Sequence, residues 1–107
     1  MGSTKVQQLQ LTQQNLQTIL IQKQQIESQL AEFSSALMEL STTDSAYKVL
    51  GKIMVAMPAE RLKKELQEKK EVVEIRFQNF IQQEKKIQKT LEMLQKEALE
   101  EMKGQNL

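Results

Sequence analysis

The sequence predicts a mostly α-helical fold: two long helices form an antiparallel coiled coil, and a single β-hairpin joins them. Three observations carry this. Residues 5–40 and residues 59–103 contain neither Gly nor Pro, and both repeat apolar residues at alternating spacings of three and four, the signature of a sustained helical seam. Residues 46–57 break that period on both sides and place Gly51-Lys52 at their centre. Hydrophobic residues make up only 39% of the 107-residue chain and aromatic residues 4%, too little bulky apolar surface for a large globular core. One domain spans residues 1–107, with helices over 5–40 and 58–103 and a hairpin over 46–57.

The first helix has its seam at Leu9, Thr12, Leu16, Ile19, Lys23, Ile26, Leu30, Phe33, Leu37 and Leu40. Thr12 and Lys23 are polar positions in that seam, and such positions lower stability but can fix register. The remaining faces are rich in Gln, among them Gln7, Gln10, Gln14, Gln17 and Gln25. Gln is a fair helix former, so these read as a solvated helical face. A prion-like reading of the same bias competes poorly with the heptads. Ser41-Thr42-Thr43-Asp44-Ser45 then ends the helix, since these residues favour caps and turns.

In the hairpin, Gly51 at the first central position of a two-residue loop suits a type II′ turn, which needs a positive φ there. This register sets Leu50 opposite Ile53, Val49 opposite Met54 and Tyr47 opposite Ala56. Val49 and Leu50 point to opposite faces, as do Met54 and Val55, so both faces are apolar. An isolated two-stranded hairpin is marginal in water. This one is therefore expected to pair with strands of other chains; the alternative is that it folds back on its flanking helices.

The second helix opens at Pro58, whose missing N–H suits a first turn, with Glu60 in the same turn near the positive end of the dipole. Its seam reads Leu66, Lys70, Val73, Phe77, Phe80, Glu84, Ile87, Leu91, Leu94 and Ala98, with Gly104 as the expected stop. Its outer faces alternate in charge, as in Glu68-Lys69-Lys70-Glu71, a solvated pattern of i,i+4 pairs. The two seams are nearly equal in length, each helix roughly 50 Å at 1.5 Å per residue, so the chain folds back on itself. Two registers satisfy the heptads, one pairing Leu37 with Leu66 and the other pairing Leu37 with Val73. In both, Lys23 and Glu84 fall in adjacent layers. Either they neighbour each other or Lys23 snorkels outward on its long stem.

Composition excludes several function classes. With 15 basic and 14 acidic residues the formal net charge is +1, which gives no reason to expect nucleic acid. There is no His, no Cys, and no Gly besides Gly2, Gly51 and Gly104. Neither a phosphate-cradling loop, nor metal-ligand spacing, nor an acid–base constellation emerges, so no catalytic, cofactor or metal residues are assigned and an enzyme is not expected. No apolar run approaches a membrane span. Met1-Gly2 fails the myristoylation pattern because Val6 stands at the required Ser/Thr position. A cytoplasmic protein without a signal segment is the expectation.

Surfaces remain. In an antiparallel pair both termini lie at one tip, where Val6, Leu9, Leu11, Leu16, Leu94, Leu99 and Met102 gather. Pattern alone reads these as frayed helix ends carrying incidental Leu and Met; the functional alternative is an apolar contact site for another protein.

The run Tyr47-Lys48-Val49-Leu50-Gly51-Lys52-Ile53-Met54-Val55 resembles the tyrosine–lysine–apolar–glycine hairpin of β-type prefoldin subunits. Gln22-Lys23-Gln24-Gln25, Leu62-Lys63-Lys64-Glu65-Leu66-Gln67-Glu68-Lys69 and Gln82-Gln83-Glu84-Lys85-Lys86-Ile87 are similar too. The likeness covers roughly Val6 to Met102, looks archaeal rather than eukaryotic, and is of the β type because there is one hairpin rather than two. It implies an ATP-independent holdase of two α-type and four β-type subunits. Their hairpins build a β-barrel platform, and their coiled-coil tips grip unfolded protein for delivery to a group II chaperonin. No cofactor, nucleic acid or membrane is implied. The resemblance raises the contact reading of the tip above that of frayed ends. It assigns client contact to Val6, Leu9, Leu99 and Met102, and assembly to Tyr47, Val49, Leu50, Gly51, Ile53 and Val55. Met57-Pro58 departs from the family's more polar lead-in to the second helix and is expected to shorten the second strand. The competing function is a structural or tethering coiled coil with a fixed partner.

Overall fold

The computed structural model describes residues 3–105 in the order α1 (Ser3–Leu40), β1 (Ser45–Leu50), β2 (Ile53–Pro58) and α2 (Ala59–Gln105). Met1 and Gly2, weighed above for myristoylation, lie outside the described residues. The chain divides into two compact units: residues 1–24 with 78–107, and residues 25–77.

Every seam position named from the heptads is buried or half-buried, from Leu9 to Leu40 on α1 and from Leu66 to Ala98 on α2. The polar seam residue Thr12 donates its hydroxyl to the Gln8 carbonyl of its own helix at 2.7 Å, so it brings no unpaired group to the interface. Lys70 pairs with Glu74 one turn on, at 3.8 Å.

In the unit of residues 25–77, Leu40, Ala59 and Leu62 form a buried cluster, and Ala46, Met57 and Leu66 pack against it. Leu40 beside Leu62 is the layer that adjoins Leu37 with Leu66. Of the two registers the heptads allow, this unit therefore takes that one. In the unit of residues 1–24 and 78–107, Leu94 and Ala98 are buried. Ion pairs join α1 to α2 there at Lys5–Glu97, 2.6 Å, and Lys23–Glu84, 2.9 Å. Ascending positions on α1 meet descending positions on α2, so the helices run antiparallel.

The Ser41-to-Ser45 stretch ends α1 by the capping chemistry its residues predict. The Ser41 N–H donates to the Leu37 and Met38 carbonyls, and the Thr42 N–H to Glu39 at 3.1 Å. The Thr42 hydroxyl also donates to Glu39, at 2.8 Å. Carbonyls left without helical partners are thereby satisfied. The Thr43 hydroxyl donates to the Ser45 carbonyl, 2.9 Å, where the strand begins.

Four boundaries differ from the sequence reading. Helix α1 starts upstream of residue 5, at Ser3. The hairpin spans 45–58 rather than 46–57. Pro58 closes β2 opposite Ser45 instead of opening α2; at the last strand position its missing N–H breaks no ladder. The Ala59 N–H donates instead to the Asp44 carbonyl, 3.1 Å, and starts the helix. Strand β2 is consequently not shortened by Met57-Pro58 and matches β1 residue for residue. Gly104 does not stop α2, which continues through Gln105, because Gly104 keeps a negative φ and, among the described residues, only Gly51 takes a positive one.

Candidate functional site

The hairpin owes its geometry to its turn. Gly51 has φ +62° and, among the described residues, no non-Gly residue has a positive φ, which is the type II′ combination at Gly51-Lys52. The pairs Leu50–Ile53, Val49–Met54, Lys48–Val55 and Tyr47–Ala56 follow in the expected register. Because side chains alternate across a strand, one face carries Tyr47, Val49, Met54 and Ala56. The other carries Ala46, Lys48, Leu50, Ile53, Val55 and Met57.

These faces differ. Tyr47, Val49 and Met54 are 64%, 65% and 65% exposed; none of the described residues covers their face. On the other, Ala46 and Met57 pack on the Leu40–Ala59–Leu62 cluster, while Leu50, Ile53 and Val55 remain exposed. The fold-back alternative thus describes the base of one face only. The sheet has two strands, so both outer edges present backbone groups without a strand partner. An exposed apolar edge of this kind is a template for pairing with another chain.

Lys48 ties the hairpin to α2. Its ammonium donates to Glu65, and that bond is the main reason the Glu65 carboxyl is held below the usual carboxylate range; Lys69, 3.6 Å away, acts in the same direction. Lys48, Met57, Arg61, Lys64, Glu65 and Glu68 line a groove of about 360 Å³ beside this contact.

In the unit that holds the chain ends, Val6, Leu99 and Met102 are exposed at 40%, 55% and 57%. Leu9 sits half-buried in the seam, so it offers less surface than its three companions. Leu11 and Met93 add further exposed apolar area. The Lys5–Glu97 pair links α1 to α2 here. Glu97's hydrogen bond raises the Lys5 pKa above the ordinary lysine value.

Among the described residues there is no group of His, Cys, Asp and Glu side chains that could hold a metal ion. No helix among them is long and apolar enough to cross a membrane.

Sequence reasoning did not single out Lys5, Lys48 and Glu65. Lys5 was findable, since it stands four residues before Leu9, at the preceding position of the same seam. The Lys48–Glu65 contact was not, because it depends on how the hairpin lies against α2. Ile21, Met38, Val72 and Ile75 are exposed apolar residues off the seam, and no periodic signal marks them.

Comparison with known proteins bears directly on this arrangement. A family model described as prefoldin subunit matches residues 3–106. The prefoldin subunit beta of Archaeoglobus fulgidus is 42% identical over 85 residues, covering 77% of this chain and 73% of the relative. That of Sulfurisphaera tokodaii is 35% identical over 100 residues, 91% of this chain and 80% of the relative. That of Pyrococcus furiosus is 40% identical over 93 residues, 83% and 80% respectively. Among solved structures, the prefoldin beta subunit from Thermococcus strain KS-1 matches with a TM-score of 0.86 at 32% identity, over 91% of this chain and 88% of that one.

Proposed function

This chain belongs to the prefoldin family as a β-type subunit, and from that membership we propose that it is a subunit of a nucleotide-independent holdase. It assembles through its hairpin with α-type and other β-type subunits into a cytoplasmic hetero-hexamer. The assembled complex captures unfolded protein on its coiled-coil ends and passes it to a group II chaperonin. The observation that carries the reading is the hairpin whose apolar faces stay exposed in the single chain. A chain that leaves Tyr47, Val49, Leu50, Ile53 and Val55 uncovered is built to be completed by others.

Client contact falls to Val6, Leu99 and Met102, with Leu9 contributing the edge of the seam. Each such patch is small, so one subunit binds weakly. Several patches on one platform raise the effective concentration for a long flexible client. No nucleotide is needed, because a chaperonin that competes for the same apolar segments can drive release.

The test is a paired assay of the chain with and without an α-type partner. Light scattering gives the mass, and dilution of a chemically unfolded protein gives the suppression of aggregation. A hexamer-sized complex that suppresses aggregation without ATP, and loses this when the terminal residues are trimmed, is the expected result. A small stable species indifferent to unfolded protein would instead make the chain a coiled-coil tether.

A further inference from the structure

In the unit that holds the chain ends, the apolar seams leave the pairing of α1 with α2 ambiguous by one heptad, yet the unit takes one register, the one that the Lys5–Glu97 and Lys23–Glu84 contacts require. The Leu40–Ala59–Leu62 cluster fixes the register of residues 25–77, but apolar matching does not distinguish the two registers among residues 1–24 and 78–107. By heptad position, the adopted register sets Leu9 level with Leu94 and Leu16 level with Ile87. The slipped one would set Leu16 level with Leu94 and Ile19 level with Leu91, so each offers two wholly apolar layers there.

The ion pair Lys23–Glu84 does distinguish the two. Both residues stand at seam positions, their side chains only 24% and 16% exposed, with Nζ and Oε2 2.9 Å apart. Side chains on a helix lean toward its N-terminus. In the adopted register Lys23 is level with Phe80, and Ile19 is level with Glu84. Lys23 leans toward the level of Ile19 and so toward Glu84, while Glu84 leans toward the level of Phe80 and so toward Lys23. In the slipped register Lys23 would be level with Ile87. The two groups would still occupy adjacent layers but would lean apart, leaving two charges in an apolar seam without each other. Breaking up a partly buried pair is strongly unfavourable, and register selection is the best-attested use of such pairs.

We infer that Lys23 and Glu84 are positioning residues: their ion pair selects the helix register in the unit that holds the chain ends. The Lys5–Glu97 bridge belongs to the same register, since a slip would carry Lys5 to the level of Gln105. The pair consequently decides which α2 residues lie beside Val6 and Leu9. A one-heptad slip would displace Leu99 and Met102 along α1 by roughly 10 Å. That consequence for client capture rests on the holdase reading; the choice of register does not.

The chain has no cysteine, so engineered pairs report register cleanly. In the full-length chain, Leu16→Cys with Ile87→Cys marks the adopted register, and Leu16→Cys with Leu94→Cys marks the slipped one. With Lys23 and Glu84 intact, only the first pair is expected to crosslink on mild oxidation. In a Lys23→Leu, Glu84→Leu background the second crosslink should rise by about tenfold or more, the ratio that about 1.4 kcal/mol of lost preference gives, while circular dichroism shows helicity retained. The charge-swapped background, Lys23→Glu with Glu84→Lys, keeps the same lean geometry and should restore exclusive formation of the first crosslink. Exclusive 16–87 crosslinking in the leucine background would overturn the inference and assign the register to the hairpin connection alone. A swapped background that crosslinks like the leucine one would overturn it as well. Aggregation suppression by the hexamer, measured separately, tests the holdase reading and does not enter this result.

Discussion

The helical seam and the hairpin spend similar residues to opposite ends. Leu, Ile, Val and Phe at seam positions are all buried or half-buried by the partner helix of the same chain. Val49, Leu50, Ile53 and Met54 are more than half exposed. The difference lies in period rather than hydrophobicity. A heptad stripe occupies one side of a helix, and a second helix in the same chain covers it. A hairpin apolar on both faces cannot be covered by one neighbour, and here the cluster of Leu40, Ala59 and Leu62 reaches only the base of one face. Apolar surface with an internal partner stabilises the monomer, whereas apolar surface without one specifies assembly.

The largest expected effect falls on the hairpin. Val49→Lys puts a charge at the centre of the uncovered face, and Val55→Lys puts a second one on the other face. The latter also stands directly opposite Lys48, where a like charge is unfavourable. With the α-type partner present, the double variant should lose the proposed hetero-hexamer by light scattering while its helical circular dichroism is unchanged. Intact assembly would break the comparison, because the exposed faces would then be incidental.

A contrast of two alanine substitutions sharpens it. Leu40 is 7% exposed and Met54 is 65% exposed. Leu40→Ala should destabilise the isolated chain by about 2–4 kcal/mol, the range for a buried leucine whose cavity cannot collapse. Met54→Ala should leave the melting of the isolated chain unchanged and weaken only the complex. Thermal melts of both variants, alone and with the α-type partner, read out each arm.

Most of this architecture is legible in the sequence because its signals are local or periodic. Residues at spacings of three and four declare the seam. Gly51-Lys52 fixes the turn, and the turn fixes every cross-strand pair. The Ser-Thr-rich stretch stops α1 by bonding to carbonyls a few residues away. What escaped depends on three-dimensional docking. Pro58 suits both a strand end and a helix start, and only the Asp44 carbonyl, by claiming the Ala59 N–H, decides between them. The Lys48–Glu65 contact requires the hairpin's orientation on α2. The heptad register is ambiguous in the sequence because an apolar pattern repeats every seven residues; the packing of Leu40 on Ala59 and Leu62 and the contacts Lys5–Glu97 and Lys23–Glu84 resolve it in the structure.

A smaller effect belongs to the turn that sets the hairpin faces. A Cβ added at Gly51 meets nothing within 4 Å, so sterics beyond the backbone are absent. The penalty for Gly51→Ala comes from its φ of +62° alone and should be about 1–2 kcal/mol. It should appear as a lower melting temperature of the assembled complex, with little change in the isolated chain, whose helices do not depend on the turn angle. An equal loss in both would mean that the hairpin stabilises the monomer as much as the assembly.

The smallest effect is electrostatic and lies where the two regions meet. Lys48 holds the Glu65 carboxyl below its ordinary range. A carboxyl depressed in the folded state contributes stability that is complete above its unfolded value, about 4.3, and that disappears as pH falls through the lower folded value. The contribution should therefore be constant near neutrality and fade only in acid, below about pH 4. Because both side chains are partly open to water, 29% and 30% exposed, the effect is small and screened by salt. Glu65→Gln should lower the melting temperature of the native chain slightly at neutral pH, and the difference should vanish in acid. A difference that persists there would show that Glu65 holds the base of the hairpin through packing of its stem rather than through its charge.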